Sequence, residues 1–214
     1  MLRSPRIVVQ PRRRGRHPPG GFASLSRGRG LEVRRGETDA VRLRALAVLA
    51  WLVLVACCVG ADGLTVEALV NALGCAVLVA LTVIDVEQRI VPNRIVVPAL
   101  LVAIVVQTFR DPSLEWIVSA LGAGGFFLLL ALVYPAGLGM GDVKLAAFLG
   151  AWLGYLVAVA LFVGTLLGMI PALVVLVRKG SKGRTATMPY VPALAAGAIV
   201  ALFFGDALLD AWLG

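Results

Sequence analysis

Long apolar runs separated by short polar stretches fill the chain from residue 44 onward. A helix needs about 20 mostly apolar residues to cross the hydrocarbon layer of a bilayer. The pattern predicts seven apolar helices, at 44–60, 64–85, 93–109, 115–135, 143–154, 156–178 and 189–211. The run at 143–154 is short and ends at Gly154, so it is either a separate crossing or half of a bent pair with 156–178. We therefore predict an all-α polytopic membrane protein of about seven transmembrane helices, with one extra N-terminal helix at 44–60 and a six-helix core at 64–212.

The first 43 residues have a different composition, rich in Arg, Pro and Gly, as in PRRRGRHPPGG and SRGRG. Such a segment has too little apolar surface to order itself, so we predict a disordered basic tail at 1–43. Twelve of the 20 Lys and Arg residues lie within residues 1–44 and account for most of the net charge of +8. These arginines favour anionic lipid headgroups. Since Phe22 is the one aromatic residue among them, we expect no nucleic-acid partner.

The remaining cations indicate the orientation of the helices. With the tail inside and 143–154 crossing separately, Arg110 is the one cation on the far side. The near side then holds the tail together with Arg89, Arg94, Lys144, Arg178, Lys179, Lys182 and Arg184. Because cytoplasmic loops carry an excess of Lys and Arg, we predict an inner or plasma membrane protein with a cytoplasmic N-terminus.

Few residues offer metal or cofactor chemistry. Cys57, Cys58 and Cys75 all lie within predicted helices, without the spacing of a C-x-x-C metal site. His17 is the one histidine and lies in the tail, which removes a Ser-His-Asp arrangement and an HExxH zinc motif. We expect neither a metal ion nor an organic cofactor.

Two carboxylates stand out at the predicted inner boundary of the membrane. Asp85 ends the run NALGCAVLVALTVID, and Asp142 precedes the run VKLAAFLGAWLG. Ionisable groups at this depth are costly and usually face a bundle interior or a wet cavity. Two carboxylates that meet share a proton, and such a pair can activate water and protonate a leaving group. Acids at helix ends also meet headgroup water or pair with a nearby cation such as Arg89 or Arg94, and position alone leaves both interpretations open. Glu87 is expected to be solvated or paired with Arg89.

The residues around Asp142 favour a functional interpretation. Gly139 and Gly141 flank Met140 just before it, and glycine allows a peptide to approach the backbone closely. Asp142 is predicted in the first turn of a helix, where free N–H groups favour a carboxylate. Lys144 projects from another side of the helix, so it is expected to reach headgroups, substrate or Asp85 rather than to neutralise Asp142.

Three motifs in order resemble a known family. Gly139-Met140-Gly141-Asp142 is similar to the GxGD signature of membrane aspartic peptidases, and GMGDVKLAAFLGAWLG resembles the type 4 prepilin peptidases. IDVEQRIVPN resembles the first-aspartate motif of that family, with Asp85, Pro92 and Asn93 at the matching positions. MPYVPALAAGA resembles its proline-bearing last helix, with Pro189 and Pro192. The usual Phe and Gly beside these prolines are here Tyr190 and Val191.

The resemblance implies a membrane aspartic endopeptidase with Asp85 and Asp142 as its catalytic pair. Gly139, Met140, Gly141, Lys144, Pro92, Asn93 and Pro189 are implied to lie along the substrate approach. The implied substrates are type IV pilin or pseudopilin precursors, cut at the cytoplasmic face after a Gly that separates a short basic leader from a hydrophobic helix. Larger members carry a cytoplasmic domain with paired cysteines and methylate the new amino terminus. Nothing here supplies that domain, so we expect a short, peptidase-only form without N-methyltransferase activity.

Two other classes stay open from sequence alone. A transporter could use Asp85 and Asp142 as proton or cation ligands, although no inverted repeat is visible. A non-catalytic membrane subunit of a pilus or secretion assembly would tolerate the loss of either aspartate. Homo-oligomerisation is also left open.

Overall fold

The computed structural model describes residues 21–133, 138–179 and 189–214. In these ranges every regular element is helical, which confirms the all-α prediction. The elements are α1 Gly21–Asp62, α2 Val66–Gln88, α3 Asn93–Arg110, α4 Glu115–Val133, α5 Met140–Leu153, a 3₁₀ turn at Gly154–Leu156, α6 Val157–Lys179 and α7 Val191–Leu213.

Six stretches are long and apolar enough to cross a membrane, with α5 and α6 falling in one stretch of 36 residues, Met140–Val175. This agrees with the predicted multi-pass membrane protein. Taken alone, α5 has 14 residues and is about 21 Å long, shorter than the hydrocarbon layer of about 30 Å. Most of α5 is buried by other helices, so its length need not match the thickness of the hydrocarbon layer.

The contacts of α5 and α6 show that the chain reverses between them. At the end of α5, the Trp152 carbonyl accepts a hydrogen bond from the Gln107 side chain at 2.8 Å, and Tyr155 N–H donates to Glu115 at 3.1 Å. Gln107 is near the end of α3 and Glu115 starts α4. The last turn of α5 therefore lies at the end of the bundle where α3 ends and α4 begins. Gly154, with a φ of 59° that favours glycine, makes the turn. The run at 143–154 is therefore a separate helix that runs antiparallel to α6, rather than half of one bent helix with it.

The returning helix α6 packs antiparallel to α7. The Tyr155 hydroxyl, just before α6, donates to Asp206 near the end of α7 at 2.6 Å. Farther along α6, the Cβ position of Gly168 lies 2.8 Å from the ring of Tyr190, which precedes α7. A Cβ on Gly197 of α7 would lie 2.3 Å from the Ala160 carbonyl, so the two backbones touch. Small residues allow this close approach between membrane helices.

The N-terminal boundary differs from the prediction. The chain divides into two units between Val41 and Arg42, and the first is described only for the helical backbone of residues 21–41. α1 begins at Gly21, whereas disorder was predicted for residues 1–43. Good helix formers such as Leu, Arg, Glu and Ala recur in 31–49 and explain the longer helix. Residues 1–20 lie outside the described ranges.

Charges are unevenly divided between the two ends of the bundle. Arg89 and Arg94 flank the α2–α3 connection, and Lys144 and Arg178 lie at the same end. Arg110 lies at the other end, where it forms an ion pair with Glu67 at 2.9 Å. The predicted Lys182 and Arg184 lie outside the described residues. Among the described core cations, Arg110 is thus alone at its end, which is the distribution from which the orientation was predicted.

Candidate active site

Asp85 lies in the last turn of α2 and is 5% exposed. Its Oδ2 atom accepts a hydrogen bond of 3.0 Å from Val191 N–H, the first residue of α7. The free N–H groups at a helix start carry partial positive charge and favour a carboxylate. Arg89 adds a full positive charge nearby. These contacts explain how a carboxylate is kept in a buried position.

Asp142 lies in the first turn of α5 and is partly exposed. Its Oδ2 atom accepts a hydrogen bond of 3.2 Å from Gly139 N–H, the residue that precedes the helix. A side chain at the third helical position that bonds back to the capping residue is half of a capping box. The helix start therefore stabilises Asp142 locally, as the sequence predicted.

A close contact brings the two aspartate motifs to one end of the bundle. A Cβ on Gly141 would lie 2.7 Å from Cβ of Val91, which belongs to the segment joining α2 and α3. Glycine at this position therefore lets the start of α5 rest on the segment that follows Asp85. This packing places the start of α5, with Asp142, at the end of the bundle where α2 ends with Asp85.

A hydrogen bond links the starts of α3 and α5. Lys144 Nζ donates to Asn93 Oδ1 at 2.7 Å. Pro92 is the capping residue of α3, and its carbonyl accepts hydrogen bonds from Ile95 and Val96. Lys144 is thus engaged by Asn93, a partner that the sequence analysis did not foresee.

For the peptidase activity that the resemblance implies, we expect Asn93→Leu to lower the rate of precursor cleavage several-fold, because it removes the bond that ties the starts of α3 and α5 together. Asn93→Asp keeps an acceptor for Lys144 and should retain most of the activity. Initial rates of precursor cleavage at equal protein level measure both effects. Equal rates for Asn93→Leu and the unchanged chain would show that the bond is an incidental surface contact.

The other predicted approach residues lie at the same end without touching the carboxylates. Met140 is the first residue of α5 and is exposed. Pro189 is exposed and precedes α7 by two residues. The described contacts give neither residue a bond to Asp85 or Asp142, so their roles on the substrate path stay predictions.

Tyr190 is a residue of this end that the sequence analysis treated only as a departure from the family pattern. Its hydroxyl shares a hydrogen bond of 3.1 Å with Thr165. Burial raises the pKa of the Tyr190 hydroxyl, the Thr165 hydrogen bond lowers it, and the charge of Asp142 raises it, with a net shift upward. The hydroxyl therefore stays neutral at physiological pH. In the sequence, Tyr190 was recognisable as an aromatic residue between two prolines, Pro189 and Pro192.

An ion pair lies at the rim of this end and differs from the expected pairing. Arg44 of α1 contacts Glu87 through two hydrogen bonds, at 3.2 and 3.3 Å. Glu87 was expected to be solvated or to pair with Arg89. The partner comes instead from α1, which also packs on α2 through a hydrogen bond of 3.1 Å from Trp51 Nε1 to the Ala72 carbonyl.

Metal ligands do not cluster in the described part of the chain, where no group of three or more His, Cys, Asp and Glu side chains could hold an ion. Cys57, Cys58 and Cys75 form no disulfide with one another. Cys58 and Cys75 are buried, and their thiols contact each other between α1 and α2. They contribute to packing rather than to the end that holds the aspartates.

Comparisons with known proteins identify the family. A family model described as the type IV leader peptidase family matches residues 72–175. The chain is 30% identical over 158 residues to a "Prepilin leader peptidase/N-methyltransferase" of Bacillus subtilis (strain 168), covering 71% of this chain and 62% of the relative. A protein of the same name in Pseudomonas putida is 35% identical over 153 residues, covering 67% of this chain and 52% of that protein. A third, in Legionella pneumophila, is 27% identical over 161 residues, covering 71% and 55%.

The chain spans 52% to 62% of the length of these three relatives. No solved structure matches it. The Asp85-to-Asn93 motif and the Gly139-to-Asp142 motif both fall inside the matched residues 72–175. Through this region, the chain belongs to the type IV leader peptidase family.

Proposed function

We propose that this chain is a membrane aspartic endopeptidase in which Asp85 and Asp142 form the catalytic pair. The observation that supports the proposal is that Asp85 ends α2 and Asp142 starts α5 at one end of the bundle, where Gly141 packs on Val91 of the α2–α3 segment. Each carboxylate accepts a backbone N–H at a helix start, from Val191 and Gly139 respectively. Their place at the end of the bundle, rather than half-way along it, favours a peptidase over a transporter.

The chemistry follows from two close carboxylates. Because like charges at short range cannot both ionise readily, one aspartate is charged and the other holds a proton. The charged aspartate accepts a proton from a water molecule, which attacks the carbonyl carbon of the peptide bond. The protonated aspartate donates a hydrogen bond to the carbonyl oxygen and then transfers its proton to the leaving amine as the C–N bond breaks. The proton taken from water restores the single proton of the pair. One water is consumed for each bond cut.

The proposed substrates are prepilin-like precursors with a basic leader followed by an apolar helix. Support comes from the family and from the printed name of the relatives, which are prepilin leader peptidases. Cleavage is proposed at the cytoplasmic face of the plasma membrane, because the described core cations other than Arg110 lie at the end that holds the aspartates. We propose no N-methyltransferase activity for this chain, since the chain spans under two thirds of the length of these relatives.

Cleavage by the purified protein in lipid vesicles tests the proposal directly. A precursor with a basic leader, a Gly and an apolar helix is incubated in water enriched in ¹⁸O. Mass spectrometry is expected to find a single cut after the Gly, with one ¹⁸O atom in the new carboxyl group of the leader. If several precursors of this type stay intact when they are incubated with the folded protein in vesicles, the assignment is wrong.

A further inference from the structure

The Arg44–Glu87 pair places a guanidinium on a carboxylate beside the catalytic end. Both contacts run between the guanidinium and the two carboxylate oxygens, at 3.2 and 3.3 Å. Glu87 follows Asp85 by two residues in α2, so the two side chains leave the helix on different sides, about 3 Å apart along its axis. Glu87 therefore faces α1 while Asp85 faces α7.

This ion pair is weak enough to be exchanged. The Arg44 side chain is 66% exposed, so water reaches the pair from its side, and the Glu87 side chain is 22% exposed. An exposed ion pair of this kind contributes about 0–1 kcal/mol, because water screens the charges and the long side chains lose freedom. Another cation delivered to the same place could therefore replace Arg44 at little cost.

An apolar groove lies near the ion pair, and two of its lining residues, Leu43 and Val86, directly precede Arg44 and Glu87 in the chain. It has a volume of about 330 Å³ and lies between α1, α2 and α7. Its lining includes Leu43, Leu46, Val83, Val86, Pro192 and Ala196. Val86 follows Asp85 and Pro192 follows Val191, so the groove begins at the residues that hold the catalytic end together. A negative charge beside an apolar groove matches a cation that precedes an apolar helix.

We propose that Glu87 binds a basic residue of the precursor's leader, that Arg44 occupies Glu87 until the precursor arrives, and that apolar side chains of the precursor's helix fill the groove. The proposal rests on the proposed function and names the residue that selects basic leaders. An extended peptide advances about 3.3 Å per residue, so a cation two to four positions before the cut lies roughly 7–13 Å away. Glu87 lies about 200° around α2 from Asp85, and because α2 ends at Gln88 a leader of that reach can pass over the end of the helix to Glu87.

The decisive test is the sign of two effects on precursor cleavage. Glu87→Gln is expected to raise the KM for a basic-leader precursor about fivefold with little change in kcat. Arg44→Gln is expected to lower KM, because it removes the internal competitor. A merely structural ion pair predicts effects of the same sign for both variants, and that result would overturn the proposal. Glu87→Lys should favour a precursor whose leader cations are replaced by Glu.

Matched controls separate this proposal from the proposed function. Glu67→Gln and Arg110→Gln disrupt the ion pair at the opposite end and should leave KM unchanged. If Asp142→Asn abolishes cleavage while Glu87→Gln and Arg44→Gln act with the same sign, only the present proposal fails. If Asp142→Asn still cleaves, the proposed function fails whatever Glu87 does.

A separate variant tests the groove. Ala196→Phe narrows it and is expected to raise KM for the membrane-embedded precursor, leaving KM unchanged for a leader peptide that ends before the apolar helix. An equal effect on both substrates, or no effect on either, would remove the groove from the proposal.

Discussion

Asp85→Asn and Asp142→Asn are each expected to abolish processing of a precursor, lowering the rate by about 10³-fold or more. The side chain keeps its size in both variants but loses the carboxylate, so the pair can no longer share one proton. General acid–base catalysis by a positioned group contributes about 10²–10⁴-fold to a rate. Each variant removes the carboxyl group that transfers a proton at its position. Separation of precursor from mature product by electrophoresis, at equal protein level in membranes, measures the loss.

Asp111→Asn provides the control for these variants. Asp111 is an exposed aspartate at the opposite end of the bundle, and the described contact to it from Trp116 goes to its backbone carbonyl. Processing by this variant should match that of the unchanged chain. Normal processing by Asp85→Asn or by Asp142→Asn would contradict the pair as proposed. If a variant loses both activity and protein level, thermal unfolding of the purified variant shows whether the substitution has destabilised the fold.

Gly150→Ala is expected to destabilise the bundle by roughly 3 kcal/mol, at the upper end of what overpacking usually costs. The added Cβ would lie 2.3 Å from the Ser119 carbonyl oxygen of α4. That atom belongs to a helix backbone and cannot rotate away as a flexible side chain does. Since α4 and α5 share one of the two most extensive helix contacts in the described structure, they would have to move apart. Thermal unfolding in detergent, followed by tryptophan fluorescence, measures the change.

Gly122→Ala makes the same substitution in α4 at a position with no heavy atom within 4 Å of the added Cβ. It should leave stability unchanged or raise it by up to about 1 kcal/mol, because alanine favours helix over glycine. Equal unfolding temperatures for the two variants would contradict the close contact between α4 and α5. The same reasoning assigns Gly164 to packing of α6 on α7, where a Cβ would lie 3.0 Å from Cα of Leu194.

Much of the fold could be predicted because run length and local chemistry are written along the chain. The apolar runs matched α2 to α7 within a few residues, since only a helix satisfies its own backbone in a bilayer. Asp85 and Asp142 were identifiable because a carboxylate beside a long apolar run is costly and needs a reason. The GxGD glycines were interpreted as room for a substrate peptide beside Asp142, whereas at Gly141 the space that a Cβ would need is taken by Val91 of the α2–α3 segment.

What the sequence by itself determined was therefore the helical class, the approximate bounds of α2 to α7 and the two carboxylates as candidates for the site. Only the tertiary structure decided their partners: Val191 N–H for Asp85, Asn93 for Lys144, and Arg44 for Glu87. A soluble helix marks its buried face by an apolar stripe. A membrane helix is apolar on the lipid side as well, and its pattern does not say which face meets which neighbour. Partners between distant segments were set by packing at small residues such as Gly141 and Gly197, where the backbones touch.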